Sequence, residues 1–337
     1  MATTMHDVAR LAGVSIKTVS NVINDYPYIR LETKERVLAA IATLGYRPNL
    51  SARGLRSGRT GVISLIIPDL RNAYFAELAA EVMSAAEAQG LSVIIEQSGG
   101  DRERELGLLR GPRTSMIDGI LYSVLGLTAD EAHLLDDIET PLVLLGERIF
   151  NGPTDHVTMR NSESTRAATE HLIALGRRRI VAFGAHPGEV IGSAGLRLVG
   201  YREALAAAGL PYDESLVVEV GEWFRLQGAQ AMHAFLESGT EFDGVVAFND
   251  LIALGAMRVM QEAGIRIPDD VAVIGFDDID ETRYTLPTLS TIDPGRPEIA
   301  EVAVRYLKER IANGAQAIEP REHLASFHVV ERESSAH

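Results

Sequence analysis

Apolar positions in the first sixty residues recur with a helical period. Val8, Ala9 and Ala12 fall at i, i+1 and i+4, on one helical face, and Gly13 allows a tight exit. Thr4 with Asp7 three residues later suits the start of that helix, because hydroxyl and carboxylate can satisfy orphan backbone N–H groups. Ser15 is placed to cap a second helix, in which Val19, Val22 and Ile23 face inward while Ile16, Lys17 and Asn21 fall on the other face. A third helix runs from about residue 32 to 44, with Val37, Ile41 and Leu44 as its stripe and Gly45 as its stop. Two short helices joined by a glycine turn and closed by a third predict a helix-turn-helix module. A plain three-helix domain with a solvated polar face fits the same period.

From residue 61 the pattern changes. Strand-like apolar runs at 61–67, 91–95, 119–122, 141–145, 180–183, 216–220, 244–248 and 271–276 alternate with helical stretches such as 73–89, 165–175 and 250–263. This alternation predicts βαβ units and mainly parallel sheets. The expected fold is an all-α helix-turn-helix head on an α/β body of two doubly wound parallel-sheet subdomains. Chain crossings are expected near 160, 290 and 322. That puts 61–160 and 291–322 in the N-subdomain, and 161–290 and 323–332 in the C-subdomain.

Charge sharpens this division. The 337 residues carry a net −15, yet residues 1–60 hold nine Lys/Arg against four acids, a local +5 on a body of −20. A basic head on an acidic body suits a small polyanion-binding module attached to something else. With no cysteine, a disulfide framework, a thiolate-ligated metal and a cysteine nucleophile are excluded. Apolar runs such as 62–67 fall far short of the roughly 18 residues of a membrane span. Residues 1–10 lack the pattern of a secretory signal, so a cytoplasmic location without membrane contact is expected.

The second helix presents a cation and an amide at its exposed half. Lys17 can donate to guanine O6/N7, and Asn21 can pair with adenine N6/N7. The run Thr4-Met5-His6-Asp7-Val8-Ala9-Arg10-Leu11-Ala12-Gly13-Val14-Ser15-Ile16-Lys17-Thr18-Val19-Ser20-Asn21-Val22-Ile23-Asn24 closely resembles the DNA-binding signature of the LacI/GalR family of bacterial transcriptional regulators. Leu44-Gly45-Tyr46-Arg47-Pro48-Asn49 and Ala52-Arg53-Gly54-Leu55 look like that family's helix-3 exit and hinge helix. The resemblance extends over almost the whole chain. It implies a DNA-binding domain at 1–48, a hinge or linker at 49–60 and an effector-binding and dimerisation domain at 61–337 with a periplasmic-binding-protein-like fold. It implies base reading by Ile16, Lys17 and Asn21. His6, Ser15, Thr18, Asn49, Ala52, Arg53, Leu55 and Arg56 complete the expected DNA contacts.

Residues 50–57 could form at most two helical turns, too few for a stable isolated helix, and Gly54 costs about a further 1 kcal/mol relative to Ala. The segment is expected to fold against a partner. Arg53, Arg56 and Arg59 can neutralise phosphates, and Leu55 is the apolar residue of a minor-groove wedge. A flexible linker leaves Leu55 unexplained.

In the body, candidate ligand residues sit at strand ends, where open α/β sheets bind small molecules. Asp277 follows the run 271–276, Asn249 follows 245–248, Arg197 follows the 184–192 loop, and Trp223 follows 220–222. The resemblance adds Ser193, Tyr74 and Phe75 as effector contacts. An Arg and an Asp that bond vicinal hydroxyls, with an aromatic face, suit sugar binding. Other readings remain: Asp250 as a helix N-cap, Trp223 as core packing, and Arg197 paired with Asp277. Arg160 departs from the family, many of whose members carry an acid there, and suggests an anionic effector.

No G-x-x-x-x-G-K-[ST], G-x-S-x-G or H-E-x-x-H motif occurs, and the nine histidines lack metal spacing. The expectation is a non-enzymatic, homodimeric repressor on pseudo-palindromic double-stranded operator DNA, controlled by a small sugar or sugar derivative, with no cofactor or metal. The alternatives are the same architecture answering a nucleobase or a protein co-regulator, or a sugar-processing enzyme with a DNA-binding head.

Overall fold

The computed structural model describes residues 3–23, 26–46, 59–314 and 317–336. They fall in two units, Met1–Thr60 and Gly61–His337. In the first, the described helices are α1 (Met5–Ala12), α2 (Ile16–Ile23) and α3 (Leu31–Leu44). Asp7 accepts the Thr4 amide at 3.0 Å and the Thr4 hydroxyl at 2.7 Å, fixing the start of α1. Gly13 and Gly45 close α1 and α3 at φ 64° and 58°, a conformation that costs a residue with a Cβ about 1–2 kcal/mol. Val8, Val19 and Val37 are fully buried where the three helices meet. The expected linker with Asn49, Ala52, Arg53, Leu55 and Arg56 lies outside the described residues.

The second unit holds two parallel sheets. One contains β1 (Val62–Ile67), β2 (Ser92–Gln97), β3 (Gly119–Ser123), β4 (Leu142–Leu145), β5 (Asp155–Thr158) and β11 (Glu322–Leu324), in the order β11-β5-β4-β3-β1-β2. The other contains β6 (Ile180–Ala185), β7 (Val217–Glu219), β8 (Gly244–Ala247) and β9 (Ala272–Ile274), in the order β7-β6-β8-β9. A third, two-stranded pairing joins β10 (Thr291–Asp293) and β12 (His328–Val330) antiparallel. The central strands are buried on both faces, which is why they read as unbroken apolar runs. β11 carries the first sheet to Leu324, beside the crossing expected near 322.

Helices flank the sheets. Among them α4 (Ala73–Ala88) packs on α10 (Arg296–Asn313), α6 (Asn161–Ala174) on α7 (Ser193–Ala207), and α8 (Arg225–Glu237) on α9 (Asp250–Glu262). α5 (Arg102–Arg110) follows β2. A Cβ at Gly200 of α7 would run into the Ser162 carbonyl of α6, so only glycine permits this crossing. α6 starts at Asn161, four residues before the expected 165. Its polar first turn hides the helix from an apolar-period reading, although Ser164 Oγ bonds back to the Asn161 carbonyl at 3.3 Å.

The C-terminal segment is built into the second subdomain. Ser334 and Ser335 are buried. Ser334 accepts the Val273 amide at its carbonyl (2.9 Å) and donates its hydroxyl to the Val273 carbonyl (2.7 Å). Ser335 Oγ lies 2.7 Å from Ser290 Oγ and 2.8 Å from His171 Nε2.

Candidate functional site

On the head, Ser15 caps α2. Its hydroxyl accepts the Thr18 amide at 3.1 Å and lies 2.9 Å from Thr18 Oγ1. Lys17 and His6 are exposed, and Thr18 and Asn21 are half-buried. Ile16, expected on the outer face, packs half-buried against the three-helix core, because it stands three and seven residues before Val19 and Ile23, on the inward stripe.

In the body, the loops leaving the carboxyl ends of the strands in both sheets converge on one cavity of about 350 Å³. Its lining includes all seven expected ligand residues: Tyr74 and Phe75 from α4, Ser193 and Arg197 from α7, Trp223 after β7, Asn249 after β8 and Asp277 after β9. The walls are more apolar than polar, the usual make-up of a small-molecule site.

Arg197 is 3% exposed. Its guanidinium lies 3.5 Å from the centroid of the Phe276 ring and 5.3 Å from that of Trp223. Nε donates to Asn161 Oδ1 at 2.7 Å, Nη2 meets Met159 Sδ at 3.3 Å, and Nη1 bonds the Phe248 carbonyl. Nη2 also stands 3.9 Å from Asp277 Oδ1, the pairing considered from sequence. Burial pulls the guanidinium pKa down, opposed by the Asp277 and Glu147 charges.

Asp277 and Asp278 have φ of 117° and 48°, rare for residues other than glycine. Arg296 bonds the carbonyls of both, so the backbone that presents Asp277 is held from behind. Burial pushes the Asp277 carboxyl up to about 7, against the pull of Arg197 and Arg296 and with the help of Glu147 and Glu77. Tyr74 is raised well above a phenol's ordinary pKa by burial, then by Glu147 and Asp277, so it stays a protonated donor.

Asn249, rather than Asp250, caps α9. Its Oδ1 accepts the Ile252 amide at 2.9 Å and its Nδ2 donates to the Trp223 carbonyl at 3.3 Å. Asp250 is the first residue inside the helix. It is fully buried and accepts from Thr291 Oγ1 (2.6 Å) and the Ile279 amide (3.1 Å). Burial, then the Asp277 charge, raises its pKa well above the usual carboxylate range. Trp223 is half-buried and serves packing as well as lining. Its Nε1 donates to the Gly184 carbonyl at 3.0 Å and its ring meets His186 at 5.2 Å.

Arg160 is not in the lining. It precedes α6 and pairs with Glu163 at 3.3 Å, so the charge reversal there gives no ground for an anionic effector. Sequence reasoning missed Glu147, Arg148, His186 and Glu189, which also line the cavity. Glu147 accepts Ser193 Oγ at 2.9 Å, and Arg148 lies 3.3 Å from Glu189, both across the cleft between subdomains. Each follows a strand end by a few residues, the same signal that found Asp277.

Residues 4–49 match the family model of bacterial regulatory proteins, lacI family, and residues 169–335 match a periplasmic binding protein-like domain. A solved LacI-family transcriptional regulator from Sanguibacter keddieii is 52% identical, with a TM-score of 0.77 over 83% of this chain and 100% of that one. The transcriptional regulator CelR–cellobiose complex is 32% identical, with a TM-score of 0.71 over 98% of this chain and 99% of that one. The lac repressor dimer bound to operator and the anti-inducer ONPF is 27% identical, with a TM-score of 0.84 over 99% of both chains. The helix-turn-helix head, the two-sheet body and these likenesses along nearly the whole chain lead to one conclusion: the protein belongs to the LacI family of DNA-binding transcriptional regulators.

Proposed function

We infer that this regulator is a homodimeric repressor of a pseudo-palindromic operator, working in the cytoplasm, and that a small sugar-like effector in the interdomain cleft releases it from DNA. The observation that carries the reading is the convergence of Arg197, Asp277, Asn249, Tyr74 and the Phe75 and Trp223 rings on one cavity. Fixed donors and acceptors beside aromatic faces match a polyol, whose hydroxyls alternate with C–H patches. The cellobiose held by the CelR relative favours the same class. Ser15, Lys17, Thr18 and Asn21 take the base and backbone contacts, with His6 beside them. Asn49, Ala52, Arg53, Leu55 and Arg56 form the hinge contacts.

Exposed apolar side chains support self-association: Met83 on α4, Ile94 on the edge strand β2, and Tyr284 and Leu286 in the second subdomain, the last two 79% and 85% exposed. The test is reciprocal linkage. Operator affinity is measured by anisotropy with and without a sugar that raises the melting temperature, and sugar affinity with and without saturating operator. The two coupling energies must agree, at about 1–3 kcal/mol. Equal sugar affinity with and without operator refutes the allosteric reading.

A further inference from the structure

Helix N-termini attract anions, and four of them border this cleft. That of α8 begins after Phe224 with no side-chain cap, and the other three, those of α4, α7 and α9, are occupied by the chain itself. Asn72 Oδ1 takes the Tyr74 amide of α4 at 3.1 Å, and Asn249 Oδ1 takes the Ile252 amide of α9. At α7 the occupant is a full charge. Glu189 Oε1 accepts the Ala194 amide at 3.0 Å and the Gly195 amide at 3.4 Å.

The other oxygen of Glu189 takes His186 Nδ1 at 3.0 Å and lies 3.3 Å from Arg148 Nη2. Its side chain is only 11% exposed. Two glycines allow the fit, since a Cβ at Gly192 would strike the Glu189 carboxylate and one at Gly195 the Glu189 carbonyl. Burial works against the charge. The His186 hydrogen bond and Arg148 outweigh it and hold Glu189 below the usual carboxylate range. The same hydrogen bond raises His186.

The cations in the described lining are likewise committed. Arg148 is held by Glu189 and the Ile191 carbonyl, and Arg197 by Asn161, Phe248 and the ring of Phe276. Against these two stand Glu147, Glu189, Glu222, Asp69, itself paired with Arg71 at 2.6 Å, and Asp277, whose carboxyl is pushed up to about 7.

We propose that Glu189 occupies the anion seat of the cleft and thereby makes the site select an uncharged polyol over its phosphate or acid. This rests on reading the cleft as the effector site. A phosphate or carboxylate entering here meets like charge and finds the α7 terminus taken by Glu189, and such juxtapositions are strongly unfavourable. A neutral sugar instead gives hydroxyl donors to Glu147 and Asp277.

The experiment is calorimetry on the full-length protein with glucose, galactose, ribose and cellobiose, the monosaccharide phosphates, and glucuronate and galacturonate. In the natural protein, the neutral member that binds should exceed its phosphate or acid by at least about tenfold. In Glu189→Gln, which keeps the shape and removes the charge, that ratio should fall severalfold. A phosphate or acid that binds as tightly as its parent overturns the charge inference and leaves the sugar reading standing. A ratio unchanged in Glu189→Gln overturns the assignment to Glu189. If no sugar binds but hypoxanthine does, the sugar reading falls. The charge inference is then judged on hypoxanthine against inosine monophosphate, with tighter binding of the monophosphate overturning it. No binding across the whole panel overturns both.

Discussion

Asp277→Asn should make the protein more stable while disabling its site. The Asp277 carboxyl is nearly fully buried, and its pKa is pushed from the ordinary 3.8 up to about 7. A raised acid pKa contributes stability that is fully present below about pH 4 and is lost as pH rises through 7. At about 1.4 kcal/mol per pKa step, the loss is about 4 kcal/mol. Asparagine accepts a positive φ more readily than most residues, so the backbone at φ 117° is kept. It carries no charge to desolvate and relieves the buried Asp250 beside it. Arg197, Arg296, Glu147 and Glu77 are the charged groups that face the position, and all remain.

The advantage of the variant should be near zero at pH 4, grow between pH 4 and 7, and level off above 7. At roughly 2–4 °C per kcal/mol, the gap at pH 8 should be on the order of 10 °C. Thermal melts of both proteins without ligand, from pH 4.5 to 8, measure it. A gap that does not change with pH, or a variant less stable at pH 8, refutes the reasoning. Effector binding should be lost in the variant at every pH.

Lys17→Ala and Asn21→Ala should each cost about 1–3 kcal/mol of discrimination between operator and scrambled DNA at fixed salt; equal losses on both DNAs would assign them to phosphate. Leu55→Ala should weaken operator binding without altering ligand affinity or sedimentation as a dimer. Gly200→Ala forces a Cβ onto the Ser162 carbonyl and should destabilise the body by about 3 kcal/mol, at the upper end of overpacking costs, in urea titrations. Trp223, the only tryptophan, should change emission with the cognate ligand, and Arg197→Ala should abolish that change while leaving operator binding intact.

The parts of the fold legible in the sequence were those written in apolar period. The head showed its caps and stripes because each helix buries one face. The central strands showed as runs because both faces are covered. β5, β10, β11 and β12 were silent, since three or four residues with polar members carry no period, and only the sheets they join define them. The seven cavity residues were found by strand-end position together with family likeness. Glu147 and Glu189 follow strand ends as Asp277 does, but what sets them apart is contact across the cleft, Glu147 with Ser193 and Glu189 with Arg148, which no local pattern shows.

The tucked C-terminal segment sets a constraint on synthesis. Val273 in β9 pairs its amide and carbonyl with Ser334, and β10, bonded on one side to Gly275 and Asp277, finds its antiparallel partner in residues 328–330. The second subdomain therefore has an unfinished edge while the ribosome is still making the helix that follows β10. The head, whose contacts are local, can fold as it emerges. A stop codon before Ser334 would do more than trim a tail. It would strip Val273 of its two bonds to Ser334, and Ser290 of its bonds to Ser334 and Ser335, beside the strand that leads to Asp277. Such an allele should behave as a loss of effector response, or of the body itself, while its DNA-binding head is still made intact.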